Sequence, residues 1–196
     1  MNTFVYEYEG KTYINLTNRC SNNCDFCIRN NHDGVADNYL WLDREPAAKE
    51  VIDCLEKRNI SGEAVFCGFG EPLFALDVML EVAAYLKSRN IKTRLNTNGQ
   101  ADLICGKGTA QRMKGLIDKV NISLNASNAR KYNEICKCAY GEKAFNAMLD
   151  FVRECKIYIP EVVLSVVDTV GQAEIDACRA LADSLGVKLR IRNYIS

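Results

Sequence analysis

Short apolar, β-branched runs alternate along this chain with longer stretches in which apolar residues recur every three or four positions. The runs Thr12 to Thr17, Ala64 to Cys67, Lys92 to Asn96, Val120 to Leu124, Glu161 to Val167 and Lys188 to Arg192 have the length and composition of six strands. Between the first two, Ala48, Val51, Ile52 and Leu55 fall on one face of a helix, with Asp43 as its cap and Pro46 in its first turn. The same spacing returns in Leu76, Met79, Leu80 and Ala83, in Phe145, Met148, Leu149 and Val152, and in Ile175, Cys178, Leu181 and Leu185, the last stopped by Gly186. Ser127 is the expected cap of a shorter helix running to Ile135. Strand followed by helix, repeated, makes a parallel sheet with helices outside, either an open doubly wound sheet or part of a barrel. Ahead of it, Phe4 to Glu9 alternates, turns at Gly10 and is expected to form a hairpin with the first strand over residues 4–17.

No stretch rich in Pro, Gly or Ser divides the chain, so its 196 residues read as one domain with no C-terminal auxiliary domain. Twenty-five basic and twenty-five acidic side chains cancel, which argues against nucleic acid or an anionic membrane surface as partner. The N-terminus lacks a secretory pattern, and no apolar stretch reaches the ~18 residues of a membrane span, so a cytoplasmic location is expected. Ten cysteines in such a chain are then read as thiols or metal ligands, not disulfides.

In parallel α/β folds the C-terminal strand ends share one rim, and ligands bind there. The unusual residues of this chain sit at those ends. Cys20, Cys24 and Cys27 follow strand one, Gly68 to Pro72 follow strand two, and Asn96 to Gly99 close strand three. Ser123 and Asn125 finish strand four, Asp168 finishes strand five, and Arg190 and Arg192 lie on strand six. Gly70 lets a ligand approach the backbone closely, and Pro72 holds the chain extended after the turn. Asn96, Ser123 and Asn125 offer neutral donors and acceptors suited to ribose hydroxyls or a carboxylate. An arginine on the last strand can clamp a carboxylate, and Phe26 adds apolar surface for a planar ring.

The three cysteines leave gaps of three and two residues. Three thiolates can each take one iron of a [4Fe-4S] cube, and the pattern supplies no fourth, which leaves one iron open to a ligand. A structural zinc site closed by His32, the only histidine, is the competing reading. Cys136 and Cys138 invite a second cluster, but Cys54, Cys155 and Cys178 fall on helix faces and Cys67 on a strand, where cysteine acts as a small hydrophobe. Glu71 is read as a residue that shapes its loop, and Trp41 either lines a substrate cavity or covers the first crossover.

Cys20-Ser21-Asn22-Asn23-Cys24-Asp25-Phe26-Cys27 resembles the signature of the radical S-adenosylmethionine (SAM) enzymes, and Gly70-Glu71-Pro72 supports the likeness although Phe69 stands where that family usually has glycine. Cys67 to Pro72, Leu95 to Gln100 and Ser123 to Ala126 together resemble the radical SAM proteins associated with TatD-type metal-dependent hydrolases. The resemblance implies a partial (β/α)6 TIM-type barrel with parallel strands in sequential order. It implies a [4Fe-4S] cluster on Cys20, Cys24 and Cys27, with Phe26, Gly70, Glu71, Asn96, Ser123 and Asn125 as the expected contacts of SAM; Asp168 and Arg192 are added from their position at the strand ends alone. It further implies reductive cleavage of SAM to methionine and a 5'-deoxyadenosyl radical and an electron donor such as flavodoxin or ferredoxin, but gives no substrate; the open side of a six-strand barrel can admit a peptide or protein or be closed by a partner subunit, and a small metabolite stays equally open. An activating enzyme that places a radical on a partner's glycine and a noncatalytic iron-sulfur or zinc module are the alternatives.

Overall fold

The computed structural model describes residues 2–60 and 62–194. A hairpin of β1 (Val5–Tyr8) and β2 (Lys11–Ile14) opens the chain, turning through Glu9 and Gly10 at positive φ. A long excursion follows, holding the small antiparallel pair β3 (Gly34–Val35) and β4 (Asn38–Tyr39) and then helix α1 (Ala48–Glu56). Next come β5 (Glu63–Phe66), α2 (Leu76–Ser88), β6 (Lys92–Thr97), the short α3 (Ala101–Cys105) and α4 (Thr109–Arg112), and β7 (Lys119–Ser123). The chain continues through α5 (Ala129–Cys136), α6 (Lys143–Tyr158), β8 (Glu161–Val167), α7 (Gln172–Ser184) and β9 (Lys188–Arg192).

The main sheet has the order β1-β2-β5-β6-β7-β8-β9. Only β1 and β2 run antiparallel; every later neighbour is parallel, as helical crossovers require. Six parallel strands in sequential order with β1 and β9 as edges make an open, partial (β/α)6 barrel, with the N-terminal hairpin added at one side.

Strand alternation sorts the two faces. Ile14, Phe66, Leu95, Val120, Ile122, Leu164 and Val166 face the helices and share one core with Val51, Met79, Leu86, Met148, Val152 and Cys178. The opposite face is polar. There Asn96 lies beside Asn121, Ser123 beside Ser165 and Val167 beside Arg192 in register. At the hairpin end this inner face is covered by a second apolar cluster of Tyr6, Leu40 and Phe69, with the Trp41 ring centred 4.9 Å from that of Phe69. Trp41 thus packs on the inner face beside Phe69, its indole N–H donating to Asp33.

Two caps differ from expectation. Helix α1 starts after Ala47, whose N–H donates to the Glu50 carboxylate at 3.0 Å, because the chain is still extended at Ala47 and Asp43 lies too far back to reach the first turn. Asn128, not Ser127, caps α5: its Oδ1 accepts from Lys131 N at 3.1 Å, while Ser127 N donates to Glu174. Cys67 also departs from its expected place in the core. It belongs to neither apolar cluster and follows β5 half-buried, its carbonyl accepting from the Tyr6 hydroxyl at 3.3 Å.

Candidate active site

The loop after β2 is anchored before it reaches the cysteines. Asn15 Nδ2 donates to Leu40 O at 2.8 Å, and Asn18 exchanges hydrogen bonds with the backbone of Leu42. Arg19 forks onto Glu45 at 2.6 and 2.8 Å and donates to Phe74 O. Between the first two cysteines, Ser21 Oγ donates to Gln100 Oε1 and accepts from Asn98 Nδ2. Asn22 accepts from Gln100 Nε2 at 2.8 Å and donates to the Tyr132 hydroxyl, which accepts from Gln100 as well. The residues between the cysteines therefore tie the loop to the ends of β6 and α5. A buried network of this kind couples the elements it joins.

Glu71 holds the neighbouring loop. Its carboxylate, 3 % exposed, accepts from Leu73 N at 3.2 Å, the Thr97 hydroxyl at 2.7 Å and Asn98 N at 2.6 Å. Burial pushes its pKa up to about 7, against the lowering pull of those three donors. Gly70 has a local reason to be glycine: a Cβ there would meet Thr17 O at 2.3 Å and Arg19 O at 2.6 Å. Gly70→Ala should therefore push the Gly70–Pro72 loop off the cysteine loop, costing about 1–3 kcal/mol of stability, which thermal unfolding would register.

Several polar atoms at this rim are buried without a partner: Asn96 Oδ1, Asn121 Oδ1, Asn125 Oδ1, Ser165 Oγ and Arg192 Nε. Asn125 is 2 % exposed and follows β7 at a left-handed φ of 56°, a conformation asparagine tolerates better than most residues. Ser123 is half-buried on the same inner face. Arg192 lies close enough to Cys67 and Cys24 to feel both, and burial lowers its pKa from the usual arginine value. Asp168 is exposed; its carboxylate accepts from Tyr194 N at 2.9 Å and so positions the chain beyond β9. Phe26 lines a cleft of about 340 Å³ together with Asp25, Ile135, Thr169, Val170 and Tyr194.

Cys20, Cys24 and Cys27 are half-buried on this anchored loop. Burial pushes the Cys20 thiol up to about 12 and raises Cys27, while Cys24 is raised first by a hydrogen bond with the Cys136 thiol and then by burial. Ligation of a metal by these groups must release their protons. Among the described residues no three His, Cys, Asp or Glu side chains are gathered closely enough to hold a metal ion. His32 is exposed, its backbone N–H donating to Ile28 O. The donor set nonetheless suits a soft metal centre with a ligand beside it: three thiols on one fixed loop, next to unsatisfied amide oxygens and a guanidinium. Asn121, Ser165, Ser21, Asn22 and Tyr132 were not singled out by sequence pattern; the polar alternation of Lys119-Val120-Asn121-Ile122-Ser123 was the available signal for Asn121.

An open parallel barrel with a thiol loop after its first parallel strand and unsatisfied polar atoms along the same rim is a cofactor-binding α/β barrel. Residues 14–180 match the radical SAM superfamily, and the chain belongs to it. Members of this superfamily use a [4Fe-4S] cluster and SAM. Over 139 residues the chain is 31% identical to a probable GTP 3',8-cyclase of Methanocaldococcus jannaschii, covering 69% of this chain and 43% of that protein. Its fold is similar to Streptococcus suis SuiB bound to the precursor peptide SuiA, with a TM-score of 0.72 at 18% identity over 93% of this chain and 39% of that one. SuiB bound to S-adenosylmethionine gives a TM-score of 0.67 at 17% identity, over 91% of this chain and 39% of that one. The chain spans less than half the length of these relatives. Among the described residues no helix is long and apolar enough to cross a membrane.

Proposed function

We propose that this chain is a radical SAM enzyme core, residues 1–196 forming one domain, in which Cys20, Cys24 and Cys27 hold a [4Fe-4S] cluster and the adjoining rim binds SAM. The observation that carries this reading is the three-thiol loop, fixed to the rim by Ser21, Asn22, Gln100 and Tyr132. When bound, the cluster supplies one electron to the sulfonium of SAM, giving methionine and a 5'-deoxyadenosyl radical that takes a hydrogen atom from the substrate.

The side chains divide the remaining work. Cys20, Cys24 and Cys27 would hold three irons and leave the fourth open to a ligand. Asn96 and Asn125 accept hydrogen bonds through their unsatisfied Oδ1 atoms, Ser123 adds a hydroxyl, and Arg192 draws the carboxylate. The cleft beside Phe26, Ile135, Val170 and Tyr194 takes the flat adenine ring and keeps water from it, with Asp168 holding Tyr194 in place. Glu71 and Gly70 keep the second loop against the first, so these groups are positioned before anything binds. Reducing power comes from a flavodoxin or ferredoxin.

The polar inner face of β6 to β9 receives the substrate, a peptide or protein; the likeness to peptide-bound SuiB supports this class. The relative named as a probable GTP 3',8-cyclase favours a second reading, a nucleotide. Kinship with the TatD-associated radical SAM proteins rests on the Cys67–Pro72, Leu95–Gln100 and Ser123–Ala126 segments.

Anaerobic reconstitution should yield about four irons per chain, and reduction in the presence of SAM should release 5'-deoxyadenosine, read by chromatography. Four irons without 5'-deoxyadenosine under strong reduction would overturn the reading. Asn125→Ala should weaken SAM binding by about 0.5–1.5 kcal/mol, with iron content unchanged.

A further inference from the structure

We propose that Arg190 and Lys188 on the inner side of β9, with the Ser165 hydroxyl beside Arg190, bind the carboxylates of acidic side chains at alternate positions of an extended peptide substrate; this rests on the reading of the inner face as the place that receives a peptide, and narrows it. Two inward cations of the neighbouring strands are matched within the sheet. Arg94 on β6 lies 3.3 Å from Glu63, and Lys119 on β7 lies 2.8 Å from Glu161. β9 has no such match: Lys188, Arg190 and Arg192 fall on its inner side by alternation, and none of the three makes an ion pair with a carboxylate among the described residues. Arg192, nearest the rim, serves the proposed SAM carboxylate, which leaves Arg190 and Lys188 for the substrate.

The register sets what stands beside them. Ser165 is opposite Arg190 and Ser123 is opposite Ser165, so two hydroxyls and a guanidinium share one row across β7, β8 and β9. Ser165 is fully buried, and its Oγ has no hydrogen-bond partner. A buried polar group left in that state costs about 1–3 kcal/mol, and a carboxylate drawn to Arg190 gives this hydroxyl an acceptor. In the next row Asn121 is opposite Val163 and Val163 is opposite Lys188; Asn121 is 4% exposed, with its Oδ1 likewise unpartnered. That oxygen calls for a donor, which a peptide backbone N–H supplies.

The spacing of the two cations favours a peptide over a nucleotide. Side chains on one side of a strand recur about every 6.4–6.8 Å, so Lys188 and Arg190 match acidic residues two apart in an extended chain, the pairing that opposite charges favour across strands. Phosphates joined through a shared oxygen lie much closer together and cannot meet both cations in this way. Both side chains are exposed, and β9 is an edge of the sheet, so a chain can lie along its inner side without displacing a neighbouring strand.

The test is isothermal titration calorimetry on the full chain, reconstituted with iron and saturated with SAM, using three probes: a blocked peptide of alternating Glu and Gly, its counterpart of alternating Gln and Gly, and inorganic tripolyphosphate. The parent should bind the Glu peptide, more weakly as salt is raised, and not the Gln peptide. Arg190→Gln should weaken that binding about fivefold and Lys188→Gln about threefold, with iron content and SAM affinity unchanged. Lys114→Gln, at an exposed position between α4 and β7, should change nothing. Arg190→Glu should lose the Glu peptide and bind a blocked peptide of alternating Lys and Gly instead, a reversal that damage to the fold does not produce. No binding of the Glu peptide, equal binding of the Gln peptide, parental affinity in Arg190→Gln, or an equal loss in Lys114→Gln overturns the proposal. Tripolyphosphate bound in place of peptide, and lost in Arg190→Gln, overturns it in favour of a phosphate-bearing substrate. Each of these results leaves the radical SAM reading standing, whereas a parent that takes up neither iron nor SAM overturns that reading and the proposal with it.

Discussion

Changing Cys20, Cys24 or Cys27 to Ala should each take the reconstituted protein from about four irons per chain to none held as a cube, and abolish 5'-deoxyadenosine formation. Each thiolate holds one iron, so losing one leaves two irons open to solvent and the cube unsupported. The fold should survive, because all three side chains are half-buried and the loop is held by Asn18, Arg19, Ser21 and Asn22 without them. Circular dichroism matching the parent would establish that. Cys54→Ala, on the half-buried face of α1 and remote from the loop in sequence, should leave iron unchanged. Iron and visible colour retained in any of the three loop variants would refute the ligand assignment. A single zinc that disappears in His32→Ala would put the closed Cys3His site in its place.

The six parallel strands were legible because each combines β-branched residues with a breaker at its end, and sequential order follows from right-handed crossovers between parallel neighbours. The helix starts were less so. Asp43, Ser127 and Asn128 all carry capping side chains, and only the backbone course decides which stands in register with the first turn. The place of the site at the strand ends was legible from topology alone. Its inner wall was less so: Ser165 sits in a run that reads as an apolar strand, yet a partial barrel leaves one face of that strand outside the helix-packed core, and the alternation around Asn121 marks a polar face without saying what it lines. Ser21 and Asn22 looked like spacers between cysteines. Their partners Gln100 and Tyr132 are 79 and 110 residues away in the chain, a separation local pattern does not encode. Glu71 is the opposite case, because a carboxylate in a glycine-and-proline turn has loop amides near it by construction, and it shapes its loop as expected.

Glu71→Ala should lower stability by about 3 kcal/mol or more, since it strands two buried backbone N–H groups at about 1–3 kcal/mol each and frees the Thr97 hydroxyl. For a chain of this size that is a drop of about 6–12 °C in Tm. Glu71→Gln should cost less, about 1–3 kcal/mol: its amide oxygen can keep Leu73 N and Thr97, but its NH2 then faces the Asn98 N–H, donor against donor. The two variants also separate packing from charge through pH. Burial holds the folded carboxyl near 7 against an ordinary 4.5, so folded protein binds the proton more tightly than unfolded chain does. Stability contributed by this group is therefore full below about 4.5, falls as pH rises toward 7, and is level above it. Glu71→Gln, with nothing to ionise, should lose that part of the slope, so that its deficit against the parent shrinks between pH 4.5 and 7. Chemical denaturation of metal-free protein across this range measures it. A deficit that instead widens with rising pH would mean that the Leu73, Thr97 and Asn98 donors outweigh burial and hold Glu71 ionised throughout, as an anionic clasp between the β5 and β6 loops.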